Sequence, residues 1–99
     1  MDLIGLQNTM SLLVPKYWGI KLLIMPKRQK YSYWAYHRTS FLKERNQIKE
    51  AKIKIYLNLR DAPDDEKVRK EIIHEIEHIY DYTKESSLLK VIDFLRSQN

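Results

Sequence analysis

Cysteine is absent from this sequence, and glycine and proline are scarce, at two and three of 99 residues. Without cysteine there is no disulfide, no thiolate nucleophile and no thiolate-ligated zinc or iron–sulfur site, so any metal must be held by histidine and carboxylates. A cysteine-free chain also fits a reducing compartment, and the cytoplasm is the expected location. With so little Gly and Pro, and with 43% hydrophobic and 31% charged residues, the composition is that of a globular chain and excludes a fibre or a disordered tail. Internal repeats, low-complexity tracts and Gly/Ser linkers are missing too, so residues 1–99 are expected to form one domain around one small core. No long hydrophobic run is present. The apolar stretch from Leu3 to Val14 begins at Asp2 where a signal peptide carries Lys or Arg, is interrupted by Asn8, Thr9 and Ser11, and is too short to cross a bilayer. It is expected to pack into the core, with no membrane as a partner.

What is present is a strong segregation of charge. The net charge of +5 hides a basic half, with twelve Lys and Arg against two acids in residues 16–60, and an acidic half, with six against ten in residues 61–99. The basic half suggests an anionic partner.

Periodicity predicts an α+β layout of strands followed by two C-terminal helices. Residues 2–14 have roughly helical spacing that stops before Pro15. The run from Tyr17 to Met25 reads as a buried strand ended by Pro26, and a second strand is expected from Tyr31 to Arg38. From Lys52 to Leu59 the chain alternates, with Ile53, Ile55, Leu57 and Leu59 on one face and Lys54, Tyr56 and Asn58 on the other. The polar stretch between, Ser40 to Ala51, fits either a short helix or a long hairpin loop. Asp61-Ala62-Pro63-Asp64-Asp65-Glu66 carries a cap candidate in Asp61, an early proline and acids at the positive end of a helix dipole. A helix is expected from about Asp64 to Tyr82, and another over Ser86 to Ser97.

Within the first of these helices stands His74-Glu75-Ile76-Glu77-His78, an HExxH pattern. Side chains four apart share a helix face with Cβ atoms about 6 Å apart, so two imidazoles can converge on one ion at about 2.0–2.1 Å. Glu75 leans over the same rim, where it can hold and deprotonate water. Chance would produce this pattern from the chain's own His and Glu content about once in a hundred such chains or less. Val68, Ile72, Ile76 and Ile79 form an apolar stripe with the His pair on the opposite side, so the histidines are not core filler. Glu77 is expected to flank the site.

A catalytic zinc needs a third protein ligand and an open position. The metzincin extension would require Gly at 81 and His at 84, where this chain has Asp81 and Lys84. Downstream of His78 the one glutamate is Glu85. It can serve only if the chain turns near Thr83-Lys84, because on a straight helix it would lie about 10 Å further along the axis. Its alternative role is a charge at the start of the last helix. Asp81 and Asp93 are fallback ligands. Asp81, on the same helix, would give a nearly linear row.

In its length, in the strand Ile53-Lys54-Ile55-Tyr56-Leu57-Asn58-Leu59 and in the helix segment Ile72-Ile73-His74-Glu75-Ile76-Glu77-His78, the chain resembles the minigluzincins, very small soluble zinc metallopeptidases of the gluzincin group. The layout matches over effectively the whole chain, and the HExxH segment is its specific part. The resemblance implies a zincin-like fold, with a small sheet of about three strands on an active-site helix followed by a glutamate helix. It implies Zn2+ held by His74, His78 and Glu85, Glu75 as general base and acid, and a peptide or unfolded protein as substrate lying along a sheet edge. His37, Tyr80 and Tyr82 are candidates for steadying an oxyanion. The spacer from His78 to Glu85 is shorter than in the larger gluzincins, and a separate C-terminal subdomain is not expected within these 99 residues. With so little chain, the segment from Lys84 to Asn99 is expected to act as a lid or to exchange with a second molecule, giving a latent enzyme or a homodimer through the C-terminal helix.

Two other readings compete. Lys27-Arg28-Gln29-Lys30-Tyr31-Ser32-Tyr33-Trp34-Ala35-Tyr36-His37-Arg38 interleaves basic and aromatic residues as a nucleic-acid-binding strand would. A charge-guarded edge strand with its aromatics packed inward is favoured over it, so nucleic acid is not an expected partner of the protein. The other is a catalytically inert zincin-like interaction domain.

Overall fold

The computed structural model describes residues 2–15, 17–24, 33–45, 47–58 and 64–98. They form three α-helices, α1 (Leu3–Leu12), α2 (Asp65–Thr83) and α3 (Ser87–Ser97), and three strands, β1 (Trp18–Ile24), β2 (Tyr33–Leu42) and β3 (Gln47–Leu57). The sheet is mixed, in the order β1-β3-β2, with β1 parallel and β2 antiparallel to the central β3. Among the described residues no helix is long and apolar enough to cross a membrane.

The alternation of β3 decides which face of the sheet is covered. Ala51, Ile53, Ile55 and Leu57 are buried, as are Trp18, Ile20 and Leu22 of β1. Against them pack the stripe of α2, Val68, Ile72, Ile76 and Ile79, and the apolar side of α3, Leu88, Val91, Ile92 and Leu95. The four α2 residues predicted to face the core all do.

The segment 40–51 resolves into neither a helix nor a long loop. Both strands extend through it, and a single 3-10 turn, Lys43–Arg45, lies between them. A bulge around Ser40 shifts the β2–β3 register there, which breaks the simple alternation and hides the strands from a period-two reading. Asp61 lies outside the described residues, and α2 is instead capped by Asp64, whose carboxylate accepts from the Lys67 amide at 2.9 Å.

The free edge of β1 is protected by α1. Gln7 Oε1 accepts from the Leu22 amide at 2.9 Å, so a side chain takes the place of a neighbouring strand. Among the described residues no strand pairs with the outer edge of β2.

Helix α2 ends at Lys84, which adopts the left-handed conformation (φ 57°) and donates its amide to the Tyr80 carbonyl at 2.7 Å. Thr83 Oγ1 donates to the Ile79 carbonyl and accepts from the Glu85 amide. The chain therefore turns at Thr83-Lys84 without Gly or Pro, at a steric cost to Lys84 of about 1–2 kcal/mol. Lys84→Gly is expected to relieve part of it, stabilising the fold by about 0.5–1 kcal/mol and raising the thermal midpoint by several degrees in a calorimetric scan. A lowered midpoint would show that the turn is not strained.

Candidate metal centre

The segment His74-Glu75-Ile76-Glu77-His78 lies in the second half of α2. Ile76 is completely buried and Ile72 and Ile79 flank it in the core. This anchoring turns His74 and His78 outward, and both are exposed. Their Nε2 atoms are 3.1 Å apart, with the rings nearly perpendicular at 82°. Two nitrogens at that separation, each about 2.0–2.1 Å from one ion, subtend about 100° there, close to a tetrahedral angle. The pair thus fits two positions of a zinc site.

Glu75 departs from the histidines in being buried, at 6% exposure, the one charged side chain in the core among the described residues. Burial pushes its carboxyl above the ordinary value. The neighbouring His74 and His78 pull it back, and Glu71 pushes it further up. A carboxyl held out of water beside two imidazoles is suited to take up a proton and release it again.

Glu77 turns to the other flank and pairs with Arg96 of α3 at 3.3 Å. Between α2 and α3 runs a groove of about 750 Å³ whose lining includes Ile73, His74, Glu77, Leu95 and Arg96. His74 is therefore reached from this groove. The C-terminal segment predicted as a lid is a packed helix, with Leu88 and Val91 fully buried, and its last turn, through Arg96, borders the groove.

Glu85 is not gathered with the histidines. Its carboxylate accepts from both the amide and the hydroxyl of Ser87, at 3.3 and 3.1 Å, and so caps α3. Asp81 and Asp93 are exposed. Among the described residues no three His, Asp or Glu side chains come together as a group able to hold a metal ion.

The three oxyanion candidates do not form one group. His37 sits on the exposed side of β2, in register with Lys52, and borders a cleft that Tyr82 and Thr83 at the end of α2 also line. Tyr80 lies under the Lys84 ammonium, 5.5 Å from its ring centre. Tyr82, one turn beyond His78, packs its ring against Trp34 and Tyr36. The neighbour of His37, Tyr36, is not among the oxyanion candidates that the sequence offers. Its hydroxyl is buried without a hydrogen-bond partner among the described residues. Burial pushes the phenol up, Arg38 opposes this, and Tyr82 and Glu85 add to it. Strand alternation alone places Tyr36 with Trp34 on the helix-facing side, which was the available signal.

No protein-family model, curated protein or solved structure matches the chain.

Proposed function

We propose that the protein is a zinc-dependent metallopeptidase of minigluzincin type. The observation that supports this best is the convergence of His74 Nε2 and His78 Nε2 to 3.1 Å beside the buried carboxyl of Glu75. In this reading His74 and His78 hold the ion. Glu85, whose carboxylate is bonded to Ser87 in this structure, would be the third donor that the resemblance implies. The chemistry that a bound zinc ion would supply there is Lewis-acid polarisation of the scissile carbonyl and of water. Glu75 accepts the proton of the attacking water and delivers it to the leaving amine, the one group serving as base and then acid. The outer edge of β2, with which no described strand pairs, offers main-chain donors and acceptors to an extended peptide, next to Tyr82 on the His78 side of α2.

The test is hydrolysis of an internally quenched peptide library by protein loaded with zinc. Cleavage is expected to stop on chelation and to return when zinc is restored. Cleavage insensitive to chelators would assign the activity to another mechanism or to a contaminant.

A further inference from the structure

The helices leave the second face of the sheet bare. Register sets three rows of residues across it: Gly19, Lys52 and His37; then Lys21, Lys54 and Ala35; then Leu23 with Tyr56. The residues of the first two rows are all exposed, and Leu23 and Tyr56 are half-buried. Their chain neighbours of opposite parity, such as Ile20, Ile53 and Ile55, are the ones buried against the helices. The basic charge of residues 16–60 is thus displayed in part on one open face, whereas the acids Asp64, Asp65 and Glu66 open α2 on the other side of the molecule.

This face has two features that a merely solvated sheet surface does not require. Lys21 and Lys54 are direct neighbours on adjacent strands, and Lys52 follows two residues along the same face, although like charges in such positions repel. Among the described residues none of the three forms an ion pair. The acid on this side of β3, Glu50, stands beyond Lys52 at the bulged end. The second feature is flatness beside the charge. Nothing lies within 4 Å of the position a Gly19 Cβ would take, and Ala35 presents only a methyl group, so a planar ring can approach the sheet next to the lysines. Leu23 and Tyr56 add an apolar and aromatic surface at one end.

We propose that this open face binds single-stranded nucleic acid, with Lys21, Lys52 and Lys54 on the phosphates. A flat three-stranded face with lysines in rows suits a splayed single strand better than a duplex. The residues differ from the interleaved aromatics of β2, because Trp34 and Tyr36 turn inward to Tyr82. The site is on the side of the sheet away from His74 and His78, and stands whether or not those residues hold zinc.

The experiment is fluorescence anisotropy of a labelled oligo(dT) or oligo(U) of about 20 nucleotides titrated with the full chain. Three phosphate contacts on a single strand give a log–log salt slope of about −2, so affinity is expected to fall about 20-fold between 50 and 200 mM salt. The triple variant Lys21→Gln, Lys52→Gln, Lys54→Gln is expected to bind at least about tenfold more weakly at 50 mM and to flatten the salt slope. Removing the same charge from the helical side, with Lys67→Gln, Lys70→Gln and Lys90→Gln, is expected to weaken binding less than about threefold. All six lysines are exposed, and thermal melts verify that both variants are folded. Equal effects of the two triple variants would overturn the proposal. So would no binding at 50 mM salt with about 100 µM protein, tighter binding to phosphatidylserine vesicles than to the oligonucleotide, or a dimer in sedimentation that the first triple variant dissolves.

Discussion

Glu75→Gln is expected to slow peptide hydrolysis by about 10²–10⁴-fold and, in the metal-free protein at neutral pH, to raise the melting temperature. Both effects come from the same burial. The Glu75 carboxyl sits at 6% exposure, and its folded-state pKa is raised by desolvation, against the pull of His74 and His78. Between the ordinary carboxylate value and the raised one, the folded chain binds more protons than the unfolded chain. Stability from this group is therefore complete while it is protonated and is lost as pH rises through the raised pKa. Glutamine has the shape of the protonated carboxyl and keeps its neutrality at every pH, but it cannot take a proton from water. Melting curves of wild type and Glu75→Gln should thus draw together toward pH 4 and separate toward pH 7, with the variant higher. Should the variant melt lower than wild type at pH 7, Glu75 would be making a favourable charged contact and the desolvation account would fail. Should it keep full peptidase activity, Glu75 would not be the base.

The parts of this fold that could be read from the sequence are those where one face of an element meets one core. The α2 stripe from Val68 to Ile79 and the β3 alternation through Ile53, Ile55 and Leu57 are such cases, and all of these residues are buried. Local pattern failed where a tertiary partner decides the outcome. Gln47 to Ala51 reads as polar, yet it is strand because β2 supplies its ladder across the bulge at Ser40. The parallel pairing of β1 with β3 leaves no local trace at all, since its partners are more than thirty residues apart. At the candidate site the outward direction of His74 and His78 followed from helical geometry. The surroundings of Glu85 did not, because its carboxylate is taken by Ser87 in a turn built on a left-handed Lys84, a conformation that sequence assigns to glycine. Tyr36 and its exposed neighbour His37 point to opposite sides of the strand, which the alternation of β2 makes legible.

The second large effect concerns the metal itself. A zinc ion bound through two imidazoles of one helix face loses half of its histidine ligands with either substitution, and the remaining ring cannot hold it alone in competition with water. His74→Ala and His78→Ala are both at exposed positions, so neither is expected to disturb the core, and a circular dichroism spectrum should match that of wild type. The direct measurement is elemental analysis by mass spectrometry of protein loaded with zinc and then freed of unbound metal by gel filtration. Wild type is expected to carry one zinc per chain, and His74→Ala and His78→Ala essentially none. Wild type that retains no zinc, or a His74→Ala protein that retains as much as wild type, would contradict the assignment of this helix as a metal centre.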